Sequence, residues 1–349
     1  MIARRAAGAV TLAGFAAGGA TLGWLARRRS PGAVPPGGDP EGPALGSVRG
    51  RARTVESFDG TRLHVETLGP PDAPTLVLVH GYALSLDFWH WQRLQLADRL
   101  RIVAYDQRGH GRSDAAVGDD YSVAALGRDL QAVLDATRAD GERVVVVGHS
   151  LGGMALLSWA RQHPGRVAEP LAGAVFVNTT GSDTVAGSAF SGGSAVLGAL
   201  QSRAWDRTLR RGVRPGRPGD LSYLLTRAVG LSPDADPDQV LFVERLVMSC
   251  PNSVKAALMP ALTGLSLRDA AGLVRVPALV LAGERDRVTP PGQARRLVDK
   301  LPDARLVVVD GVGHSAPLEA GAVVSAHLAA FVDGLGSRAR HPAPPGRGS

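Results

Sequence analysis

Cysteine occurs once in the 349 residues, at position 250. No disulfide can therefore form within the chain, and packing alone must hold the fold. Cys250 reads as a small buried apolar residue and not as a nucleophile. Lysine is nearly as scarce, with Lys255 and Lys300 alone. The net charge of +7 is basic enough to raise the question of a nucleic-acid partner, but its distribution answers against one. Residues 1–52 carry seven arginines against two acids and residues 337–349 three against none, which leaves 29 basic and 30 acidic side chains in the body between them. The body is close to neutral, and a nucleic-acid surface is not expected.

Long uncharged runs are also few. The clearest is 6–26, bounded by Arg4 and Arg5 on one side and Arg27, Arg28 and Arg29 on the other. A helix of that length spans about 30 Å, enough for a bilayer. Its apolar content is thin, because alanine and glycine fill thirteen of the 21 positions. A cleaved export signal is the competing reading, but a small-x-small cleavage site is wanting and three arginines follow at once. The reading adopted is a membrane anchor through residues 6–26, with export after cleavage as the alternative. Residues 30–50 hold five prolines and six glycines and read as a flexible linker. The tail 337–349 reads as disordered and basic.

With 44% apolar and 20% charged residues, the remainder is large enough for one sizeable α/β domain with an insertion. From about Arg51, short apolar runs rich in β-branched residues alternate with amphipathic stretches: 75–81, 101–107, 143–150, 172–178, 277–286 and 304–314. Near-continuous apolar strands separated by helices predict a parallel sheet covered on both faces. Two further segments, 53–58 and 61–68, predict an antiparallel hairpin at the edge. The expectation is an α/β fold with a mostly parallel, doubly wound sheet of eight strands, its core formed by 51–180 and 272–336. Between 181 and 271 the strand pattern gives way to helical spacing, read as an inserted helical lid.

The strongest chemical signal is Gly148-His149-Ser150-Leu151-Gly152, which follows an apolar strand and precedes a helical run. A serine on so sharp a turn needs glycines beside it, where strand and helix approach each other. A serine hydroxyl is a weak nucleophile near neutral pH, so it needs a general base and a third group that orients the base. Asp286 ends one predicted strand segment and His314 the last one, which puts both at carboxyl ends with Ser150. Each has a plainer reading, Asp286 as a helix cap and His314 as a loop histidine, but the three together favour chemistry. Glu284 and Asp183 are rival acids. An acyl-transfer site also needs donors for the developing oxyanion. The backbone amides of Leu151, at a helix start, and Tyr82, in the loop after 75–81, are assigned that role.

The segments LVHGYALSLDFW, YDQRGHGRSD, GHSLGG, GERDRVTP and GVGHSAPLE, in this order, resemble the α/β-hydrolase superfamily from about Arg51 to Leu335. The chain order Ser150, Asp286, His314 is similar to that of the family's triads. The resemblance implies that 106–113 is a structural turn behind the site, that His80 braces the oxyanion loop, and that His149 stands at a variable position beside the nucleophile. Neither histidine is spaced to suit a metal, and no cofactor is expected. A serine nucleophile points to esterase-like, lipase-like and cofactor-free haloperoxidase-like members. The predicted function is cleavage of a carboxylic ester or related acyl bond of a hydrophobic small-molecule or lipid-like substrate through an acyl-enzyme. Thioesterase, amidase, carbon-carbon hydrolase and perhydrolase chemistry share the triad, and a noncatalytic tethered binding module is the rival of another class. Phe190, Leu197, Leu224, Leu225, Phe242, Leu246 and Met248 are candidates for an acyl pocket. The basic stretch 203–217 reads as a solvated face.

Overall fold

A computed structural model describes residues 43–181, 220–263 and 266–340. Eight strands form one sheet: β1 (Arg51–Glu56), β2 (Arg62–Leu68), β3 (Thr75–Val79), β4 (Arg101–Tyr105), β5 (Val144–His149), β6 (Leu171–Val177), β7 (Ala278–Gly283) and β8 (Ala304–Val309). Their order across the sheet is β1-β2-β4-β3-β5-β6-β7-β8. β2 runs antiparallel to both β1 and β4, and the rest are parallel. The edge hairpin closes over Ser57–Gly60, where Gly60 takes a φ of 88° and the Ser57 amide donates to the Thr61 carbonyl at 2.9 Å.

The near-continuous apolarity of the central strands has the predicted cause. Every residue of β3, β5 and β7 is buried, and successive side chains serve opposite faces. Val77, Val79, Val146 and Phe176 join the cluster under the helices Val123–Thr137 and Leu151–Gln162. Leu76, Leu78, Val147 and Val177 join the other cluster, which the C-terminal helix Gly321–Arg340 helps to cover with Val324, Leu328 and Phe331. Each such side chain contributes about 1.5–3 kcal/mol by leaving water.

The expected boundaries need three corrections. The compact body begins at Leu45, not Arg51. Leu45 packs on the apolar cluster, the Gly46 amide donates to His90 Nδ1 at 3.2 Å, and the Gly50 amide donates to Glu66 at 2.9 Å, so the end of the Pro/Gly-rich segment is bound in place. The C-terminal helix runs on to Arg340, past the expected start of the tail at 337. Among the described residues, no helix is long and apolar enough to cross a membrane. The stretch 6–26 lies outside those residues, and the membrane anchor is withdrawn. Its alanine and glycine content, thirteen of 21 positions, leaves little apolar area for a bilayer.

Of the segment 181–271, residues 182–219 and 264–265 lie outside the described set, among them Asp183, Phe190, Leu197 and the basic stretch 203–217. The described part carries the helices Asp220–Gly230, Pro237–Ser249 and Asn252–Thr263. The second begins sharply because Asp236 caps it, accepting the Asp238 amide at 2.7 Å, with Pro237 in its first turn. Phe242 does not suit an acyl pocket, because it is buried with its ring against Gly46. Leu225 is exposed, while Leu224 and Leu246 pack partly buried on the core.

Candidate active site

Ser150 follows β5 directly and precedes the helix Leu151–Gln162. Its φ and ψ are 51° and −115°, a conformation that costs a side-chain-bearing residue about 1–3 kcal/mol. The surroundings impose it. The Ser150 amide continues the ladder to the Val177 carbonyl at 3.0 Å. Thr179 Oγ1 donates to the Ser150 carbonyl at 2.6 Å, and the Gly153 amide donates to the same oxygen at 3.0 Å. A Cβ on Gly148 would lie 2.6 Å from the backbone of Gly152 and Gly153, and one on Gly152 would lie 2.3 Å from the Val79 carbonyl. Both glycines are therefore obligatory. A serine before a helix ordinarily caps it; here the side chain makes no cap hydrogen bond, and the strained turn aims it elsewhere.

It meets His314. Ser150 Oγ lies 3.0 Å from His314 Nε2, and the other ring nitrogen, Nδ1, lies 2.8 Å from Asp286 Oδ2. The register explains the convergence, because the paired ends of β5, β6, β7 and β8 stand in line across the sheet. The loops after β5, β7 and β8 then supply one side chain each.

Asp286 is 3% exposed and accepts five hydrogen bonds. Oδ1 takes the amides of Val288 at 2.8 Å and Thr289 at 2.9 Å. Oδ2 takes Thr289 Oγ1 and Asn178 Nδ2, both at 2.7 Å, besides the imidazole. Burial works against ionisation, but the His314 ring beside it, with the hydrogen bonds from His314, Asn178 and Thr289, holds the carboxyl well below the usual carboxylate range. The plainer reading as a helix cap fails, since the next helix starts at Pro291 and Asp286 closes a turn onto its own loop. Glu284 is exposed and takes the Gly311 amide at 2.9 Å.

The loop after β3 is held from behind by two buried histidines. His80 donates from Nδ1 to the Gly81 carbonyl at 2.8 Å and accepts the Gln107 amide on Nε2 at 3.0 Å. His110 accepts the Ala83 amide on Nε2 at 3.2 Å. Burial, above all, pushes His80 down to about 4 and His110 to about 3, so both are neutral near pH 7. The turn 106–113 thus reaches the Tyr82 loop directly, the His110 side chain meeting a backbone amide 27 residues away in sequence. A Cβ on Gly81 would lie 3.2 Å from Ser150 Cβ, which places this loop against the turn that carries Ser150. Tyr82 itself ties the loop to the insertion, its hydroxyl donating to the Lys255 carbonyl at 2.9 Å. Leu151 opens its helix, where an amide has no carbonyl one turn back within the helix.

His149 donates from Nε2 to the His314 carbonyl at 2.9 Å and packs on Phe88. Burial, with the His314 imidazole, lowers it to about 3. Asn178, Thr179 and Thr289 had no pattern to mark them in the sequence. Their positive cue is position alone, two at the end of β6 and one three residues beyond Asp286. Cys250 is buried, which pushes its thiol up to about 12. Among the described residues, no group of three or more histidine, cysteine, aspartate or glutamate side chains could hold a metal ion.

The family described as alpha/beta hydrolase fold matches residues 74–321. This chain belongs to that family. The α/β-hydrolase is 30% identical over 272 residues, 77% of its length and 96% of the relative's, to a Variovorax paradoxus protein named as the carbamate hydrolase RutD. It is 27% identical to the bifunctional esterase/perhydrolase DCH of Acinetobacter calcoaceticus, over 80% of its own length and 98% of the relative's. A Thermogutta terrifontis esterase superposes with a TM-score of 0.68 at 22% identity, over 82% of this chain and 99% of that one. The enol-lactonase of Burkholderia xenovorans superposes at 0.66, also at 22% identity, over 80% and 100%. At that identity the superpositions speak for the fold.

Proposed function

We propose that this α/β-hydrolase is a serine hydrolase that cleaves a carboxylic ester of a small, hydrophobic substrate through an acyl-enzyme. The observation that carries the proposal is the imidazole of His314 standing 3.0 Å from Ser150 Oγ and 2.8 Å from Asp286. In this reading Ser150 Oγ attacks the carbonyl carbon while His314 Nε2 takes its proton. Asp286, ionised and held by Asn178 and Thr289, keeps Nδ1 protonated and stabilises the imidazolium. The carbonyl oxygen becomes an oxyanion, received by the backbone amides of Leu151 and Tyr82. Loss of either donor costs about 3–4 kcal/mol of barrier. His314 then returns the proton to the departing alcohol, and a water deacylates Ser150 by the same route. The choice of an apolar acyl group rests on the apolar composition of the inserted helices, where Leu224, Leu246 and Met248 are partly buried.

A fluorophosphonate probe together with a series of aryl esters tests this reading. Labelling at Ser150 and ester turnover are expected from the full chain, with a fall on the order of 10⁴-fold or more in Ser150→Ala. Folded protein that neither labels nor turns over any ester would sink it. A carbamate is the second substrate class, favoured by the relative that shares 30% identity over 77% of this chain. The same triad would attack its carbonyl carbon and release an amine. Ammonia or amine release measured beside ester turnover separates the two.

A further inference from the structure

Glu319 lies five residues beyond His314, at the end of the helical turn Ala316–Glu319. Its carboxylate accepts three backbone amides. Oε2 takes Gly313 at 3.1 Å and Ser232 at 2.7 Å, and Oε1 takes Ser315 at 3.1 Å. Gly313 and Ser315 are the two residues that flank His314. Ser232 belongs to the inserted segment, in the link between the helices Asp220–Gly230 and Pro237–Ser249. One side chain thus grips the base loop on both sides of the imidazole and the insertion at its bend.

The contact between the two segments is built throughout. A Cβ on Gly313 would lie 2.4 Å from the backbone of Leu231 and Ser232, so the two chains touch directly. Ser315 Oγ donates to the Gly230 carbonyl at 2.8 Å. Gln239 Nε2 donates to the Leu318 carbonyl at 2.8 Å. Leu231 is buried in the same apolar cluster as Val312, Ala316 and Leu318. The loop that carries Asp286 meets the same stretch, through an ion pair from Arg285 to Asp234. Burial raises the Glu319 carboxyl, and the amide and side chain of Ser232, with the amides of Gly313 and Ser315, work against that rise. A desolvated carboxylate is held there by hydrogen bonds from backbone it organises in turn.

We infer that Glu319 is a positioning residue that couples the seating of the inserted segment 228–239 to the placement of the His314 imidazole against Ser150. This rests on the serine-hydrolase reading above. Docking of the insertion at Ser232 completes the carboxylate's set of donors and so fixes the peptides on either side of His314. Withdrawal of the insertion leaves the carboxylate short of one donor and the base loop free to shift.

The test compares the full chain with Glu319→Gln, which keeps the size but offers one oxygen and an amide NH₂ to three N–H donors. Three quantities are measured: the rate of Ser150 labelling by a small fluorophosphonate, kcat and KM on an aryl ester, and amide hydrogen exchange in 228–239 and 311–317. Labelling and kcat are expected to fall about tenfold, since a small misplacement of a catalytic group is costly. KM should move by no more than about twofold. Exchange should quicken in both segments together. Labelling at the parent rate, or faster exchange in one segment alone, overturns the coupling. Should Glu319→Gln fail to fold, Glu319→Asp, which keeps the charge but draws the carboxylate back by one methylene, takes its place. Slower labelling with faster exchange in both segments is then expected, and no change in either overturns the inference. A parent chain that does not label at all counts against the serine-hydrolase reading, while its exchange pattern still reports on the clamp.

Discussion

At the residue scale, the site is a problem of holding a charge in a dry place. Asp286 is 3% exposed and stays ionised because hydrogen bonds replace the water it has lost. Asn178 supplies one of them from the end of β6, and does so from a φ of 46°, a conformation that asparagine tolerates better than most residues. Asn178→Ala removes the donor and leaves alanine in that conformation. The lost charged hydrogen bond is worth about 1.5–3 kcal/mol and the conformation about 1–2 kcal/mol more. A lower melting temperature and a kcat reduced about tenfold or more are expected, with denaturation and ester turnover as the measurements. Wild-type kcat in a folded Asn178→Ala would mean that Thr289 and the loop amides suffice.

At the element scale, what matters is how closely the helix that follows Ser150 approaches the sheet. A Cβ on Gly152 would enter the Val79 carbonyl at 2.3 Å, backbone against backbone, so no side chain can move aside. Gly152→Ala is expected to cost about 3 kcal/mol or more and to abolish fluorophosphonate labelling, because the turn that strains Ser150 cannot form. Gly334, exposed on the C-terminal helix with nothing within 4 Å of a Cβ, is the control. Gly334→Ala should stabilise by about 0.4–1 kcal/mol and leave labelling alone. Equal effects of the two substitutions, read by urea denaturation, would contradict the packing argument.

At the scale of the whole molecule, three buried histidines near the carboxyl edge of the sheet set the response to acid. His80 is lowered from 6.5 to about 4, and His110 and His149 from 6.5 to about 3, above all by burial. Below about pH 6.5 the unfolded chain takes up protons that the folded one refuses. Stability is therefore full above that pH and declines as pH falls towards about 4 and 3. Asp286 stays ionised through this window and does not offset the loss, while Glu319, raised by burial, acts in the opposite sense. Melting temperatures recorded from about pH 8 to pH 4 should fall steadily below about 6.5. A flat profile there would mean that the three rings do not stay neutral in the fold.

The amino-acid sequence by itself determined what depends on near neighbours. Apolar runs made the strands, and the glycines at 148 and 152 with the serine between them marked the sharp turn. The placing of Ser150, Asp286 and His314 at strand ends followed from where those runs stop. Tertiary structure decided what joins distant segments: Asn178 on Asp286, His110 behind the Tyr82 loop, Glu319 between Gly313 and Ser232, and residues 45–50 fastened to the body. Such contacts have no period in the chain. A hydrogen bond between side chains or peptides a hundred residues apart exists only once the sheet has brought them together.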